Sequence, residues 1–208
     1  MSWLKPTPAM LQKLTYLLVF LTFDLILFGA FTRLTDSGLG CPDWPGCYAS
    51  VTPIGAAEHI SAAQSALPTG PVTHTKAWIE MLHRYFATTV GALIVLRLIW
   101  SVQLKQKLTL PIVTFLWVCL QGAFGAFTVT MKLFPLIVTL HLLGGMVLLA
   151  LLVAQSESQN SERQASLALP AKPYGVWLAA ASIAVWTQIF FGAWVSTNYA
   201  VLACNEFP

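Results

Sequence analysis

The sequence predicts an all-α integral membrane protein, and two observations carry this prediction. Of the 208 residues, 57% are hydrophobic and only 9% are charged, whereas a soluble domain carries about 25% charged residues. Five apolar stretches also reach the length of about 20 residues that a helix needs to cross a bilayer. These stretches cover residues 14–34, 77–100, 109–129, 133–154 and 176–195.

The order of the stretches predicts an up-down four-helix transmembrane bundle followed by a fifth span. The third and fourth stretches are joined by a very short turn near Lys132 and Pro135, and short connections favour antiparallel neighbours. The first stretch exceeds the apolar core of a signal peptide, about 7–15 residues, so we interpret it as a retained span. Residues 1–154 are expected to form one four-helix half with an outer loop at 35–76, and residues 155–173 a cytoplasmic linker.

Positive charges predict the orientation of the spans. Lys5 and Lys13 precede the first span, and loop 35–76 is acidic apart from one terminal lysine. Because loops rich in Lys and Arg remain in the cytoplasm, we expect a cytoplasmic N-terminus and an external loop. The net charge of +3 is too small and scattered to indicate a nucleic-acid partner. On the cytoplasmic side we count the loop charges Arg97, Lys105 and Lys107 around the turn between the second and third spans, and Arg163 and Lys172 between the fourth and fifth.

An internal repeat begins near the end of the sequence. Residues 28–30 align without a gap on residues 191–193, and Cys41 aligns with Cys204 at the same offset. Self-similarity at a fixed offset is typical of a duplicated unit. We therefore expect residues 174–208 to begin a second homologous bundle, and the chain to be a fragment of a longer protein.

Two cysteines lie close together in the predicted outer loop, within CPDWPGC. Cys41 and Cys47 are expected to form a disulfide, because the loop faces an oxidising compartment. Closing so short a loop stabilises by roughly 2 kcal/mol in the chain-entropy model. A redox or metal-transfer role is the alternative, in which His59 and His74 of the same loop could complete a metal site with the cysteines.

Two histidines lie at matched depth inside predicted spans. His83 and His141 each sit roughly 9–12 Å below the outer end of their helix, at 1.5 Å per residue. Paired imidazoles on separate helices suit a haem iron with one ligand on each porphyrin face. Gly144 and Gly145, one turn beyond His141, are expected to let a flat macrocycle approach. The alternative is that each histidine hydrogen-bonds to a neighbouring helix.

A carboxylate and an arginine accompany the first of these histidines. Glu80 and Arg84 are spaced i,i+4, and an ion pair between them would lower the cost of both charges within a span. In the functional alternative, Glu80 relays protons or stabilises a cationic intermediate, while Arg84 holds a haem propionate. Arg33, at the outer end of the first span, is a second candidate for binding a propionate.

At GLGCPDWPGC, EMLHR and HLLGG the sequence resembles the haem A synthase family along essentially its whole length. The resemblance implies an oxidoreductase of the bacterial inner membrane that converts haem O to haem A. Successive hydroxylations turn a porphyrin methyl group into a formyl group, and the product serves haem-copper terminal oxidases. Implied cofactors are haem b, haem O or haem A, with copper left open. Implied partners are the haem O substrate, haem O synthase, oxidase assembly factors, the bilayer and a second copy in a homo-oligomer.

The resemblance also implies roles for particular positions. His83 and His141 match the haem-ligand pair of the family's first half, and Glu80 matches a carboxylate regarded as important for catalysis. Cys41 and Cys47 match the outer disulfide. Members of the family have eight spans in two homologous halves, each with its own histidine pair. If both pairs are needed for turnover, this chain alone is expected to bind haem without oxidising it.

Two other functions remain open from the residues alone. One is a haem-binding membrane protein that only transfers electrons, and the other is a non-catalytic oxidase assembly factor that handles haem or copper through the outer loop. The position of Glu80 one turn from His83 favours the oxidoreductase, because a pure electron carrier does not need a carboxylate there.

Overall fold

A computed structural model of the chain describes residues 5–159 and 174–200. Five helices in these ranges are long and apolar enough to cross a membrane, so the predicted all-α membrane class is confirmed. A short helix inside the outer loop was not predicted. In chain order the helices are α1 Pro8–Leu34, α2 Ala57–Ala66, α3 His74–Gln103, α4 Thr109–Thr130, α5 Pro135–Ser158 and α6 Gly175–Thr197.

Two of the long helices begin at threonine caps that lie before the apolar pattern. The Thr7 hydroxyl accepts a hydrogen bond of 3.2 Å from the Met10 backbone N–H, and Pro8 follows at the first helical position. The Thr73 hydroxyl accepts one of 3.2 Å from the Lys76 N–H. Such caps satisfy N–H groups that have no partner within the helix. They explain why α1 and α3 start earlier than their apolar stretches.

Helices α1, α3, α4 and α5 form a closed ring in that order. Each helix packs on two neighbours, so α1 faces α4, and α3 faces α5, across the ring. The α4–α5 turn is tight, with Lys132 and Leu133 both at positive φ, and it supports the predicted antiparallel arrangement. Helix α6 lies outside the ring and contacts α5.

An apolar cluster fills the middle of the ring. Side chains from α1, α3 and α5 contribute its fully buried members, and Trp100 and Trp117 pack against its edge. In water, burial of each large aliphatic side chain would contribute about 1.5–3 kcal/mol. Lipid is itself apolar and removes this driving force, so close packing of complementary side chains holds this part of the bundle together. The buried members are Leu14, Leu18, Val90, Ile94, Leu148 and Leu152.

A polar layer lies between this cluster and the end of the bundle opposite loop 35–73. Arg97 is only 3% exposed, and its Nε donates a 3.0 Å hydrogen bond to the Thr15 hydroxyl. Thr15 also contacts Gln159 Oε1 at 3.3 Å. Counting Arg97 among the loop charges was therefore wrong, because it lies inside α3. Lys105 and Lys107 do lie in the connection from α3 to α4.

Replacing Thr15 with valine is expected to lower the free energy of unfolding by about 1–3 kcal/mol, because the buried Arg97 Nε loses its acceptor while the side-chain shape is kept. Thr22→Val is the matched control. Thr22 is also buried on α1, but its hydroxyl has no hydrogen-bond partner in the described structure. Unfolding in detergent, followed by circular dichroism, measures both changes. Equal effects of the two substitutions would contradict the importance of the Arg97 contact.

Parts of the predicted domain division lie outside the described residues. Helix α5 continues to Ser158, so residues 155–158 are helical, and most of the predicted linker at 155–173 is outside the description. The aligned Cys204 and the other positions of the second repeat beyond Ala200 also lie outside it. The start of a second homologous bundle at residues 174–208 therefore stays a prediction.

Candidate paired-histidine site

The predicted disulfide between Cys41 and Cys47 is confirmed, with Cα atoms 4.9 Å apart. Both cysteines are fully buried. They pack against Ile60 of α2 and against Ala77 and Met81 of α3. The bridge thus fixes the loop and α2 onto the N-terminal end of α3.

The Arg84 side chain holds the same loop by donating hydrogen bonds to the loop's backbone carbonyl groups. Its Nη1 donates to the carbonyl oxygens of Asp43 at 2.9 Å, Pro45 at 3.2 Å and Gly46 at 2.6 Å. The Asp43 carboxylate in turn accepts hydrogen bonds from two backbone N–H groups of the loop. Arg84 therefore acts as the anchor point between α3 and the segment closed by the disulfide.

Glu80 completes this anchor. The carboxylate is 4% exposed; its Oε2 accepts a 2.8 Å hydrogen bond from the Cys41 N–H, and its Oε1 pairs with Arg84 Nη2. The i,i+4 ion pair considered from the sequence is present. Both carboxylate oxygens are engaged, as are Nη1 and Nη2 of Arg84. A catalytic role for Glu80 and a propionate role for Arg84 stay predictions.

His83 lies one turn further into α3 and contacts α1. Its Nε2 is 3.1 Å from the place that a Cβ on Gly29 would take. The Phe28 ring is centred 5.9 Å from the imidazole. The missing side chain of Gly29 therefore makes room for the imidazole edge.

His141 takes an equivalent position between α5 and α4. Its Cε1 and Nε2 lie 3.5 and 3.9 Å from the place that a Cβ on Gly125 would take. Its Nδ1 is buried without a hydrogen-bond partner, although such atoms nearly always have one. His83 and His141 are close enough to interact electrostatically. The structure thus brings the two predicted ligands into one region.

Gly144 and Gly145 do not have the role expected from the sequence. The Gln121 side chain lies directly against Gly144, and Trp117 Nε1 donates a 2.8 Å hydrogen bond to the Gly144 carbonyl. Gly145 faces Ile26 of α1. These two glycines allow close packing of α5 on its neighbours, and the glycines beside the imidazoles are Gly29 and Gly125.

Arg33 lies at the end of α1 and is engaged elsewhere. It pairs with Asp36 at 3.0 Å, donates to the Ser196 carbonyl of α6, and its guanidinium sits 4.4 Å from the centre of the Tyr199 ring. These contacts join α1 to the end of α6. Propionate binding by Arg33 stays a prediction.

The loop histidines have structural contacts rather than a shared ligand. His59 stacks on Tyr48 with ring centres 5.3 Å apart, and His74 Nε2 is 2.9 Å from the Ser61 hydroxyl. Over residues 5–159 and 174–200, no group of three or more His, Cys, Asp or Glu side chains could hold a metal ion. The structure therefore gives no support to a metal site built on the loop cysteines.

The disulfide makes a simple chemical prediction. In a chain carrying Cys119→Ser and Cys204→Ser, Cys41 and Cys47 should react with a thiol reagent only after reduction and denaturation, because both are buried and bonded to each other. Mass spectrometry before and after reduction counts the labels. The parent chain, which retains the exposed free thiol of Cys119, is the positive control. Two labels without reductant would contradict the bond.

Comparison with known proteins places the chain in a family. Residues 12–208 match the COX15-CtaA model, described as cytochrome oxidase assembly protein. A heme A synthase of Shewanella oneidensis is 41% identical over 95% of this chain and 61% of its own length. Those of Exiguobacterium sibiricum and Halalkalibacterium halodurans are 29% and 27% identical, over 95% and 88% of the chain and 64% and 58% of their own lengths. No solved structure matches the chain significantly.

The chain thus spans about three fifths of the length of the curated relatives that it matches. Its match to the family model covers nearly all of its residues, from the first transmembrane helix onward. The chain therefore belongs to the COX15-CtaA family of cytochrome oxidase assembly proteins.

Proposed function

We propose that this chain is a haem-binding part of an enzyme that converts haem O to haem A. The observation that carries the proposal is the pair of histidines on α3 and α5, two helices that lie opposite each other in the ring, each with its imidazole against a glycine of an intervening helix. Relatives named heme A synthase suggest the reaction. In that reaction successive hydroxylations convert a porphyrin methyl group into a formyl group, which stays attached to the ring.

The residues fit a haem on two counts. Two imidazoles from separate helices can supply nitrogen ligands to a haem iron. Glycines rather than larger side chains adjoin both rings. A haem bound here supplies the iron chemistry of oxidation, and His83 and His141 are the residues that would hold it.

The anchor formed by Glu80 and Arg84 suggests how the protein contributes to the reaction. Glu80 lies one helical turn from His83, at the boundary between the imidazole region and the disulfide loop. There its carboxylate could accept a proton from a group that is being oxidised. The loop above it packs on the N-terminal end of α3. Arg33 and Arg84 are the cations proposed to bind haem propionates.

We further propose that the chain lies in the bacterial inner membrane with its N-terminus in the cytoplasm. A disulfide at the loop end fits the oxidising outer side. Lys13, Lys105 and Lys107 lie towards the opposite end, as the positive-inside rule requires. Haem O, supplied by a haem O synthase, is the proposed substrate. Oxidase assembly factors and a second copy of the chain are the proposed protein partners.

A second function, electron transfer by a bound haem without oxidation of its substituents, is favoured by one observation. Both oxygens of Glu80 already hold the loop and Arg84, so the carboxylate has a structural task that needs no catalysis. An electron carrier would keep the same paired imidazoles and the same loop.

Pigment analysis separates these functions. The chain is produced in cells that make haem O, purified in detergent, and its haem is extracted and identified by chromatography and mass spectrometry. Bound haem with haem A or the alcohol intermediate supports the oxidoreductase. Bound haem that is never oxidised, either by the chain alone or by the chain joined to the remaining length found in its relatives, supports the electron carrier. A chain purified without any haem would refute the paired-histidine site.

A further inference from the structure

Two glycines complete the layer of the ring that contains the histidines. His83 and His141 lie on α3 and α5, which are opposite helices of the ring, and Gly29 on α1 and Gly125 on α4 belong to the other two helices. At this level of the ring, α1 carries a glycine, α3 a histidine, α4 a glycine and α5 a histidine. Each imidazole therefore lies beside a helix that has no side chain at the point of contact.

The two glycines occur in the same five-residue sequence. FGAFT is found at residues 28–32 on α1 and again at residues 124–128 on α4. In each copy the glycine is the residue that adjoins an imidazole. The same local sequence thus places a glycine against an imidazole twice, on helices that lie opposite each other in the ring. A repeated contact of this kind indicates a shared task rather than incidental packing.

The contact distances show how closely each ring depends on its glycine. A Cβ on Gly29 would lie 3.1 Å from His83 Nε2, so the ring would have to move by a few tenths of an ångström. A Cβ on Gly125 would make ordinary contacts of 3.5 and 3.9 Å with the His141 ring. The new methyl group would still fill the space beside Nε2.

We propose that Gly29 and Gly125 are positioning residues, which keep the space beside the Nε2 edges of His83 and His141 open for a flat macrocycle. This inference rests on the proposed haem site. The plane of a macrocycle held between α3 and α5 extends towards α1 and α4. With metal–imidazole bonds of about 2 Å, the inner atoms of that macrocycle lie within about 3 Å of each ligating nitrogen. A methyl group at Gly29 or Gly125 would compete for this space.

The chain offers matched controls for the substitution. Gly122 is one turn from Gly125 on α4, and Gly91 is on α3; a Cβ at either position meets nothing within 4 Å. Alanine favours helix more than glycine does, so none of the four alanine variants should weaken its helix. A loss of haem confined to the first pair therefore reports on the space beside the imidazoles.

The experiment titrates haem b into the purified 208-residue chain and into Gly29→Ala, Gly125→Ala, Gly122→Ala and Gly91→Ala. Absorption gives affinity, electron paramagnetic resonance reports the orientation of the two axial imidazoles, and thermal unfolding of the apoprotein reports folding. Gly29→Ala is expected to bind haem about 10–100-fold more weakly, as when partners that orient metal-bound histidines are lost. Gly125→Ala should show a smaller loss. The two controls should bind as the parent chain does and unfold at the same or a higher temperature.

The outcomes separate the inference from the function on which it rests. If the parent chain binds no haem, the proposed function fails. If the parent binds haem and Gly29→Ala and Gly125→Ala match the controls in affinity and resonance, the positioning role is overturned while the haem site stands. If Gly29→Ala does not fold, Gly125→Ala decides, because its new methyl group makes only ordinary contacts.

Discussion

Alanine in place of His83 or His141 is expected to remove haem from the purified protein. Each substitution deletes one of the two histidines proposed to hold the haem iron and leaves only the other imidazole to bind it. Loss of a mere supporting partner of a metal-bound histidine costs about 10–100-fold in affinity, so loss of a ligand should exceed about 100-fold. Haem content per chain, measured as the pyridine haemochrome, and the low-spin ferric spectrum give the result.

His59→Ala and His74→Ala are the matched controls, because they make the same chemical change outside the ring. His59 is stacked on Tyr48 and His74 contacts Ser61. Both control proteins should retain haem at the level of the parent. If one ring variant kept its haem with an unchanged low-spin spectrum, that histidine would not be a ligand.

The transmembrane fold could be predicted from the sequence because each span must present about 20 apolar residues to lipid. The antiparallel α4–α5 pair could be predicted for a similar reason, since few residues connect the two helices. The short helix α2 could not be predicted from the sequence. Its sequence, AEHISAAQSA, has little apolar character, and only Ile60 is buried in it. Its place depends on packing against the disulfide and α3, which no local pattern reveals.

The histidines of the candidate site could be found from the sequence, and their surroundings could not. His83 and His141 stand out because an ionisable group inside a span is costly and usually functional. The proposed role of Gly29 depends on which helix packs beside it, and the sequence of a single segment does not reveal the order of helices around the ring. The repeat of FGAFT at residues 28–32 and 124–128 was the signal that could have found both glycines. Arg97 was wrongly assigned to a loop for a related reason, because counting charges along the sequence does not show which of the charged side chains are buried.

Glu80 has the second large expected effect, and its two possible tasks can be separated by two substitutions. Alanine removes the carboxylate altogether, so the Cys41 N–H loses its acceptor and Arg84 loses its ion-pair partner. Breaking a buried ion pair by deleting one partner costs about 3–5 kcal/mol. We expect Glu80→Ala to lower the free energy of unfolding by about this amount and to speed reduction of the Cys41–Cys47 bond.

Glutamine at position 80 keeps the shape of the side chain and an oxygen that can accept from the Cys41 N–H. Arg84 would lose a negative partner but keep its three loop carbonyl acceptors. The expected cost is therefore smaller, about 1–3 kcal/mol for a charged hydrogen bond. Haem occupancy of Glu80→Gln should remain close to that of the parent chain, since the imidazoles and their glycines are unchanged.

Oxidation of the haem methyl group should nevertheless stop in Glu80→Gln if the carboxylate transfers a proton, because an amide cannot accept one at neutral pH. The same pigment analysis, made on a protein that contains both this chain and the remaining length found in its relatives, should then show haem O or the alcohol accumulating in place of haem A. Arg84→Lys is the comparison, since it keeps the positive charge beside Glu80 but loses the fork that binds several loop carbonyls. A fall in haem A yield that follows only the loss of stability in both variants would assign Glu80 to holding the loop. Normal haem A yield from Glu80→Gln would remove it from the reaction, because charge is the one property that this substitution deletes while the loop contact stays.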